Sequence, residues 1–375
     1  MPDDRIDRVR LSLAFLPLAA PAGGKAPAGH RPPLTEVAFL FAELGTVDGG
    51  SGLGFSHAMH AGGPALYAHA KELAPRLLGE DPNDIGRVWE KLVSSAASAG
   101  RAGLATQAVA AVDVALWDLK ARRANLPLAK LLGAYRRAVP CFHTPSGLPT
   151  TPLPEVVDSA QRALARGVGG IKVTVGQPDV AADLERLRVV RDRLGDGVPL
   201  MVDANQQWDR ATALRVGRVL ERLNLVWLEE PLDVHDVDGH AALAGALDTP
   251  VGAGELLTSV DEHGRLMAAG GCDHVQPDAP RVGGITPFLR IMALADQHGL
   301  GLVTHFAPEL HVHLAAAYPR TAWVEHVDWL EPLFEERLEI RAGRLVVPDR
   351  PGLGLTLSAQ AATWTTDRLE FTETA

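Results

Sequence analysis

The sequence contains 375 residues, 46% of them hydrophobic and 22% charged, a composition typical of globular proteins that excludes a disordered or collagen-like chain. The formal net charge of −10, from 46 acidic and 36 basic residues, repels phosphate backbones and anionic membranes, so we expect no nucleic-acid and no membrane partner. Cys141 and Cys272 form neither a disulfide framework nor a metal-binding CxxC pattern, which indicates a reducing cytoplasm.

The length predicts two domains. The pattern of apolar residues over the first 135 residues predicts that the N-terminal domain is of the α+β type. Leu11–Leu18 and Thr35–Leu44 are predicted strands, and the Gly-, Pro- and Ala-rich stretch Ala19–Pro33 between them predicts a mobile loop. The apolar run Leu11–Ala22 is short and broken by Pro17 and Pro21, so we expect neither a targeting segment nor a membrane span. Apolar residues then recur with helical spacing over Tyr67–Leu78, Ile85–Ala97 and Leu104–Ala124.

From Val139 onward, short apolar runs alternate with amphipathic helices, of which Asp179–Leu194 and Asp209–Leu223 are the clearest. This β-α alternation favours parallel strands, and eight runs are the number that an eight-stranded barrel needs. The eight predicted strands are Val139–His143, Gly170–Gly176, Pro199–Asn205, Leu225–Pro231, Pro250–Glu255, Asp273–Asp278, Gly301–Phe306 and Trp323–Val327. The segment Leu338–Thr356 predicts a strand and turn that return to the first domain.

Active sites of such barrels lie at the carboxyl ends of the strands, so the residues that close each run are the first candidates. They are Lys172, Asp203, Glu229, Glu255, Asp278, His305 and Glu325. Asp203, Glu229 and Glu255 follow one another at intervals of 26 residues, which places three carboxylates on adjacent strands. Unpaired carboxylates would repel one another, so this group predicts a divalent, oxygen-preferring cation such as Mg²⁺.

Asp278 and His305 close the next two strands. A carboxylate beside an imidazole fixes its tautomer and stabilises the imidazolium, so His305 is a candidate general base. His311 and His313 follow on a predicted helix, and we interpret both as structural.

The motifs GIK, MVDAN, WLEEP, QPDAPRVGG and THF resemble those of the mandelate racemase subgroup of the enolase superfamily, and the ending PGLGLTLS is most similar to its talarate/galactarate dehydratase branch. The resemblance implies a modified TIM barrel, (β/α)7β, over residues 136–344, with an α+β capping domain over residues 1–135 that residues 345–375 complete. It further implies Mg²⁺ ligands at Asp203, Glu229 and Glu255, a His305–Asp278 dyad, and an electrophilic Glu325. Members of the family are often dimers or octamers, so the resemblance implies a homo-oligomer.

The chain departs from this family at one position. The second strand of the family usually ends Lys-x-Lys, with the second lysine acting as a base on the face opposite the histidine, but here Thr174 replaces it. Threonine cannot act as a base near neutral pH, whereas Lys172 keeps the family's other role of pairing with the substrate carboxylate. Racemisation needs two bases, whereas dehydration needs one when proton and hydroxyl leave from the same face. We therefore predict an acid-sugar dehydratase that forms a 2-keto-3-deoxy product.

Two alternatives remain open at this point: an acid-sugar cycloisomerase or epimerase on the same scaffold, and a catalytically silent barrel. We expect the substrate to be a small acid sugar, either an aldarate or an aldonate. Candidate substrate contacts are Asn205, Thr174, His143, Lys25 and Arg31, with His30 beside the last of these.

Overall fold

The computed structural model describes residues 4–22, 34–145 and 148–373. Within this part of the chain, one layer is a four-stranded antiparallel sheet with strand order β14-β1-β2-β3. Its strands are β1 (Ile6–Ala22), β2 (Leu34–Thr46), β3 (Ser51–Ala58) and β14 (Thr365–Thr372). Four helices follow β3, namely α1 (Gly63–Leu73), α2 (Ile85–Ser95), α3 (Leu104–Arg123) and α4 (Leu128–Leu131). The two strands and three helices predicted for this region are therefore present.

Helix α3 is the central element of this domain. Fourteen of its 20 residues are buried, because the helix lies between the sheet on one side and the barrel helices on the other. Its close approach to β3 depends on Gly52 and Gly54, where an added Cβ would collide with the carbonyl oxygens of Ala115 and Ala111. A helix that is apolar all round is the type that such a double-sided position requires.

The second layer is a closed barrel of eight parallel strands, as predicted. The strands pair in chain order from β4 to β11, and Val324 of β11 pairs with Cys141 of β4 to close the ring. Their bounds are β4 (Ala138–His143), β5 (Gly170–Thr174), β6 (Leu200–Asp203), β7 (Leu228–Glu229), β8 (Val251–Ala253), β9 (His274–Val275), β10 (Gly301–Thr304) and β11 (Ala322–His326). Each predicted apolar run contains one of these strands or overlaps it.

The helices between the strands complete the β-α repeat. They are α5 (Leu153–Ala165), α6 (Val180–Leu194), α7 (Arg210–Leu220), α8 (Val237–Ala244), α9 (Val260–Ala268), α10 (Ala279–Val282), α11 (Ile285–Gln297) and α12 (Pro308–Ala316), with 3-10 turns at Glu221–Leu223 and Asp328–Leu333. Helices α6 and α7 begin after Asp179 and Asp209, whose side chains accept hydrogen bonds from the backbone N–H groups of Ala181 and Thr212. These aspartates cap the two helices that the sequence predicts most clearly.

The inside of the barrel is filled by large side chains below the carboxyl ends of the strands. Phe142 and Trp227 meet edge to face with ring centroids 5.2 Å apart, and Met201 and Val303 belong to the same buried cluster. The Nζ atom of Lys172 lies 5.3 Å from the centre of the Phe142 ring. The polar site therefore begins directly above a buried aromatic layer.

The chain beyond the barrel contacts both parts of the structure. Leu338–Thr356 forms a hairpin, β12 (Ile340–Arg341) and β13 (Arg344–Val346), whose second strand pairs antiparallel with β4 of the barrel. The same segment then reaches the first domain, where the Gly352 carbonyl accepts from the Leu128 backbone N–H and the Leu353 backbone N–H donates to Asp118 of α3. A further strand, β14, follows helix α13 (Ala359–Thr363) and pairs with β1. Sequence reasoning did not find β14, because it is mostly exposed and lacks the apolar run by which strands are recognised.

The predicted loop over Ala19–Pro33 starts later than expected, since β1 continues to Ala22, which pairs with Leu34. Residues 23–33 lie outside the described residues, and with them the predicted substrate contacts Lys25 and Arg31 and the neighbouring His30.

Two buried aspartates of α3 hold the domains together. Asp113 accepts hydrogen bonds from the backbone N–H of Thr286 at 2.9 Å and from its hydroxyl at 2.5 Å, which fixes the start of barrel helix α11. Asp118 accepts from the backbone N–H groups of Leu53 and Leu353 at 2.8 and 2.7 Å. Since α10 and α11 directly follow Asp278, these contacts also fix the capping sheet relative to the candidate site.

Candidate functional site

A cavity of about 540 Å³ lies between the carboxyl ends of the barrel strands and the first domain. Its floor includes eight of the predicted site residues, namely His143, Lys172, Thr174, Asp203, Asn205, Glu255, His305 and Glu325. The first domain supplies the roof through residues 58–61, Gly103 and Gln107. Glu229 and Asp278, the other two predicted residues in the described part, are buried and contact members of the floor.

The three predicted metal ligands are buried carboxylates on neighbouring strands. Asp203 and Glu229 end β6 and β7 and lie side by side in the strand register, whereas Glu255 follows β8. All three are at least nine-tenths buried. Burial, reinforced by the charges of Glu229 and Glu255, raises the pKa of Asp203 well above its usual value. The site thus concentrates negative charge that calls for a cation.

In this structure the ammonium group of Lys172 neutralises part of the negative charge of these carboxylates. Its Nζ atom donates a hydrogen bond to Glu229 and lies 3.6 Å from Asp203 and 3.4 Å from Glu325. Burial alone would lower the pKa of Lys172, but Glu229 and the other carboxylates outweigh burial and raise it well above its usual value. One ammonium group balances only part of the charge of four acidic groups.

The donor set fits a hard divalent cation, with one condition. Carboxylate oxygens are the ligands that Mg²⁺ prefers, and three of them occur on consecutive strands. Within the described ranges, however, no three acidic, His or Cys side chains already surround a common point closely enough to hold a metal ion. Binding therefore requires the carboxylates to turn toward one another and Lys172 to release Glu229.

Neighbouring side chains already orient two of the three carboxylates. The Oε2 atom of Glu229 accepts hydrogen bonds from Trp227 at 2.8 Å and Gln276 at 2.6 Å, while Asn205 donates its backbone and side-chain N–H groups to Asp203 at 2.8 and 3.0 Å. Such outer contacts fix ligand geometry. Sequence reasoning missed Trp227 and Gln276, although each lies two residues before a predicted site residue and so on the same face of its predicted strand.

The backbone is strained around the same rim. Eight non-glycine residues of the described chain have a left-handed φ, and five of them follow the strands that carry the site. These five are Asn205, Gln206, Glu230, Phe306 and Ala307. Non-glycine residues adopt this conformation at a cost, and such residues cluster at functional sites.

The side chains of His305 and Asp278, the two members of the predicted dyad, lie next to each other. The Nδ1 atom of His305 lies 2.9 Å from the Oδ2 atom of Asp278, and its Nε2 atom lies 3.7 Å from Glu255. Burial alone would lower the pKa of His305, but Glu255 and Asp278 outweigh it and raise the pKa to about 9. His305 Nε2, the nitrogen that does not bond to Asp278, lies toward the carboxylates that line the cavity. With a pKa of about 9 the imidazole is protonated at neutral pH in this structure, so the role of general base requires that a cation first offset the charge of Glu255.

His311 joins the two turns that hold the dyad. Its Nδ1 atom lies 2.7 Å from the carbonyl oxygen of Phe306, and its Nε2 atom accepts a hydrogen bond from the backbone N–H of Ala279 at 3.0 Å. His313 likewise bonds to backbone groups through both ring nitrogens. These contacts are those of structural residues, and His311 in addition fixes the turns that follow β9 and β10.

Glu325 accepts hydrogen bonds from the Thr144 hydroxyl at 2.8 Å and the Phe306 backbone N–H at 3.1 Å. Burial alone would raise the pKa of Glu325, but Lys172 and His305 outweigh it and lower the pKa to about 2. Glu325 is therefore ionised here, and the predicted electrophilic role requires Lys172 to pair with another anion first.

Thr174 and His143 line the cavity at the ends of β5 and β4. The Nδ1 atom of His143 lies 3.4 Å from the carbonyl oxygen of His326. The cavity is also lined by further polar residues outside the predicted set, namely His60, Gln107, Thr144, Thr258, Arg281 and His326. Arg281 could have been suspected, because it follows Asp278 by three residues and so lies one helical turn beyond it.

Comparisons with known proteins agree with this geometry. Residues 34–133 match the N-terminal domain of the mandelate racemase/muconate lactonizing enzyme family, and residues 155–361 match the enolase C-terminal domain-like family. The chain is 57% identical to L-talarate/galactarate dehydratase of Salmonella typhimurium over 98% of this chain and 93% of that protein. It is 35% identical to 3,6-anhydro-alpha-L-galactonate cycloisomerase of Streptomyces coelicolor, covering 94% of this chain and 97% of that one.

Solved structures show the same likeness. L-talarate dehydratase from Polaromonas sp., complexed with Mg and L-glucarate, is 58% identical and superposes with a TM-score of 0.96 over 99% of this chain and 100% of that one. The Salmonella typhimurium enzyme liganded with Mg and L-lyxarohydroxamate is 56% identical, with a TM-score of 0.97 over 99% of this chain and 95% of that one. The chain therefore belongs to the mandelate racemase/muconate lactonizing enzyme family of the enolase superfamily.

Proposed function

We propose that the protein is a Mg²⁺-dependent acid-sugar dehydratase that acts on an aldarate of the galactarate or talarate type, or on an aldonate, and releases a 2-keto-3-deoxy acid. The observation that carries this proposal is the arrangement of the cavity, in which the His305–Asp278 dyad faces three buried carboxylates while Thr174 takes the place of a second base. The likeness to L-talarate/galactarate dehydratase supports the same reaction class.

The first step is removal of the proton from the carbon next to the substrate carboxylate. His305 Nε2 takes this proton, and Asp278 holds the Nδ1–H that sets the correct tautomer. Asp203, Glu229 and Glu255 would hold Mg²⁺, which when bound supplies positive charge for the negative charge that develops on the carboxylate oxygens. Lys172 exchanges its bond to Glu229 for the substrate carboxylate and adds a second positive charge there.

The second step is loss of the β-hydroxyl. The bond between C3 and its oxygen breaks, the proton on His305 passes to the departing hydroxyl to form water, and a C2–C3 double bond forms. The resulting enol becomes the 2-keto-3-deoxy product. His305 can serve both steps only when proton and hydroxyl leave from the same face, and Thr174 offers no base for the other face.

The test is an NMR screen of aldaric and aldonic acids with Mg²⁺ in D₂O. A 2-keto-3-deoxy product that His305→Asn abolishes is the expected result, with retained Mg²⁺ binding in the variant as the control for an intact site. A cyclic isomer as product would instead indicate a cycloisomerase, and a new stereoisomer an epimerase. Absence of both product and α-deuterium exchange for every substrate would contradict the proposal and favour a silent barrel.

Asn205, Thr174 and His143 line the cavity, and we keep them as proposed substrate contacts. Because the side-chain amide of Asn205 donates to Asp203, its proposed contact with substrate uses the oxygen of the amide. Lys25 and Arg31 stay predictions, since they lie outside the described residues.

Two further proposals concern the surroundings of the enzyme. Cys141 and Cys272 are free and buried, which supports a reducing, cytoplasmic location. In the described ranges, every helix is too short or too polar to span a bilayer. A homo-oligomer is proposed from the family resemblance, and light scattering after size-exclusion chromatography measures it.

A further inference from the structure

One histidine of the first domain reaches the dyad from the opposite side. His57 lies on β3, its side chain is 1% exposed, and its Nε2 atom is 3.6 Å from the Oδ2 atom of Asp278. Within the described residues, neither ring nitrogen of His57 has a partner at hydrogen-bond distance. The carboxylate of Asp278 therefore lies just beyond hydrogen-bond distance of this buried imidazole.

The surroundings of His57 would suit an apolar ring better. The ring centroids of Phe306 and Phe39 lie 4.5 and 6.1 Å from that of His57. Burying a polar group without a hydrogen bond destabilises a protein, so packing alone does not explain a histidine here. Burial lowers the pKa of His57 to about 3, which leaves a neutral imidazole with one N–H to donate.

Asp278 already accepts two other hydrogen bonds. Its Oδ2 atom accepts from His305 at 2.9 Å, and its Oδ1 atom accepts from the backbone N–H of Arg281 at 3.2 Å. His57 approaches the same oxygen that His305 uses. Two imidazoles, one from each domain, therefore flank a single carboxylate oxygen.

We propose that His57 is a positioning residue for proton transfer, which donates its Nε2–H to Asp278 and so holds the carboxylate in line with His305. Shortening the present 3.6 Å separation to a hydrogen bond of about 3 Å requires a shift of only a few tenths of an ångström. Hydrogen bonds of catalytic groups are often long before substrate binds and tighten in the complex.

The position of His57 in β3 provides the link to substrate. The next residues of the chain, Ala58, Met59, His60 and Ala61, line the roof of the cavity. A substrate that presses on this roof acts on the strand that carries His57. The first domain thus contributes to the alignment of the base as well as to covering the cavity. This inference rests on the proposed dehydratase function, because it assigns a role within that reaction.

The experiment compares three variants by steady-state kinetics and thermal unfolding. His57→Phe removes the donor but keeps an aromatic ring, and His57→Gln keeps an N–H donor. Phe55→Leu is the matched control, because Phe55 lies two residues earlier on the same strand and packs against the rings of Phe39 and Phe334.

For His57→Phe we expect kcat to fall by about 10- to 100-fold, the range typical of residues that orient a catalytic group, with KM changed less than about 2-fold. The melting temperature changes little, because loss of the contact with Asp278 is offset by packing of an apolar ring against Phe39 and Phe306. His57→Gln recovers part of the lost kcat. Phe55→Leu shows the opposite pattern, with a lower melting temperature and a kcat close to wild type at temperatures where it is folded. Unchanged kcat in His57→Phe, or parallel losses of kcat and melting temperature, would overturn the inference.

A second measurement does not depend on turnover. The melting temperatures of wild type, His57→Phe, Asp278→Asn and the double variant form a thermodynamic cycle. Non-additive shifts are expected if His57 and Asp278 interact, and additive shifts overturn the inference. If wild type converts no acid sugar, the proposed function fails while the cycle still decides whether His57 holds Asp278.

Discussion

Thr174 lies directly opposite Asp203 in the register of the parallel strands β5 and β6, and both residues line the cavity. A side chain at position 174 therefore faces the same space as the first predicted metal ligand. In the proposed mechanism Thr174 stands where the family carries a second base, and this change need not disturb the rest of the site, because threonine fits a fully buried strand and Lys172 is still present.

Restoring a lysine at this position tests that explanation. We expect wild type to exchange the α-proton of only one of two epimeric substrates. Thr174→Lys is expected to exchange the α-proton of the other epimer as well. The carboxylate of Asp203, which lies opposite this position, favours the ammonium form of the new lysine. The neutral amine, which is the form that acts as a base, is favoured once a bound cation neutralises the carboxylates and only the positive charge of Lys172 remains nearby. The measurement is α-deuterium incorporation in D₂O, followed by NMR on galactarate and talarate. Thr174→Met, of similar length but without an amine, is the control.

If Thr174→Lys dehydrates the original substrate but gains no exchange on either epimer, position 174 does not face the opposite side of the α-carbon. That result would contradict the single-base explanation while leaving His305 as the base of the proposed reaction.

The carboxylate group predicts a metal-dependent gain of stability. Saturation with Mg²⁺ at about 100 times its dissociation constant stabilises the folded state by about 2.7 kcal/mol, so the melting temperature rises with Mg²⁺ concentration. We expect Asp203→Asn to lose this rise. In EDTA the same variant melts no lower than wild type, because burial and Glu229 already disfavour the charged form of Asp203. Thermal unfolding with and without Mg²⁺ measures both effects.

Glu185→Gln is the control for that experiment, since Glu185 is exposed on α6 and pairs with Arg188. It keeps the full Mg²⁺ response. A Mg²⁺ response that survives in Asp203→Asn would place the ion elsewhere.

The barrel and the rim residues could be predicted because parallel strands end at one edge. Alternating apolar runs fixed the number of strands, and polar residues at the end of each run then had to lie near one another. For this reason Asp203, Glu255 and His305 were found from the sequence and lie on the cavity floor. Their predicted chemical roles stay predictions until the variants are measured.

The contacts missed by sequence reasoning depend on tertiary placement. His57 precedes Asp278 by more than 200 residues, and only the docking of the first domain on α10 and α11 brings the two together. Gln276 looks like any polar residue in a strand until Glu229 is seen beside it. The return strand β14 was missed for a different reason, because an exposed edge strand has no apolar pattern.

The buried carboxylate of Asp118 predicts a large stability effect at the domain junction. It accepts backbone hydrogen bonds from Leu53 and Leu353 and pairs with Arg122 at 2.6 Å. In Asp118→Asn one acceptor oxygen becomes an NH₂ group that faces a donor, so we expect a loss of about 2–4 kcal/mol of unfolding free energy. Urea denaturation measures it. Asp349→Asn breaks an exposed pair with Lys130 and should leave the midpoint unchanged; equal effects of the two changes would refute the prediction.

The buried carboxyl of Glu309 on α12 predicts a pH-dependent loss of stability. The side chain is 4% exposed, and in the described structure its Oε2 atom has no hydrogen-bond partner. Burial, with the nearby charge of Glu331, raises its pKa from 4.5 to about 7. Between these two values the folded state binds more protons than the unfolded state, so the unfolding free energy falls as pH rises. The total loss is about 3 kcal/mol, at 1.36 kcal/mol per pH unit.

Glu309→Gln removes this titration while keeping the size of the side chain. We expect wild type and variant to be about equally stable near pH 4.5, and the variant to become more stable as the pH rises toward 7, with a constant difference above that. The comparison uses urea denaturation at several pH values between 4.5 and 8. Asp113, whose pKa burial also raises to about 7, titrates in both proteins and so cancels from the difference. A difference that does not change with pH would show that Glu309 is not the buried acid that this structure describes.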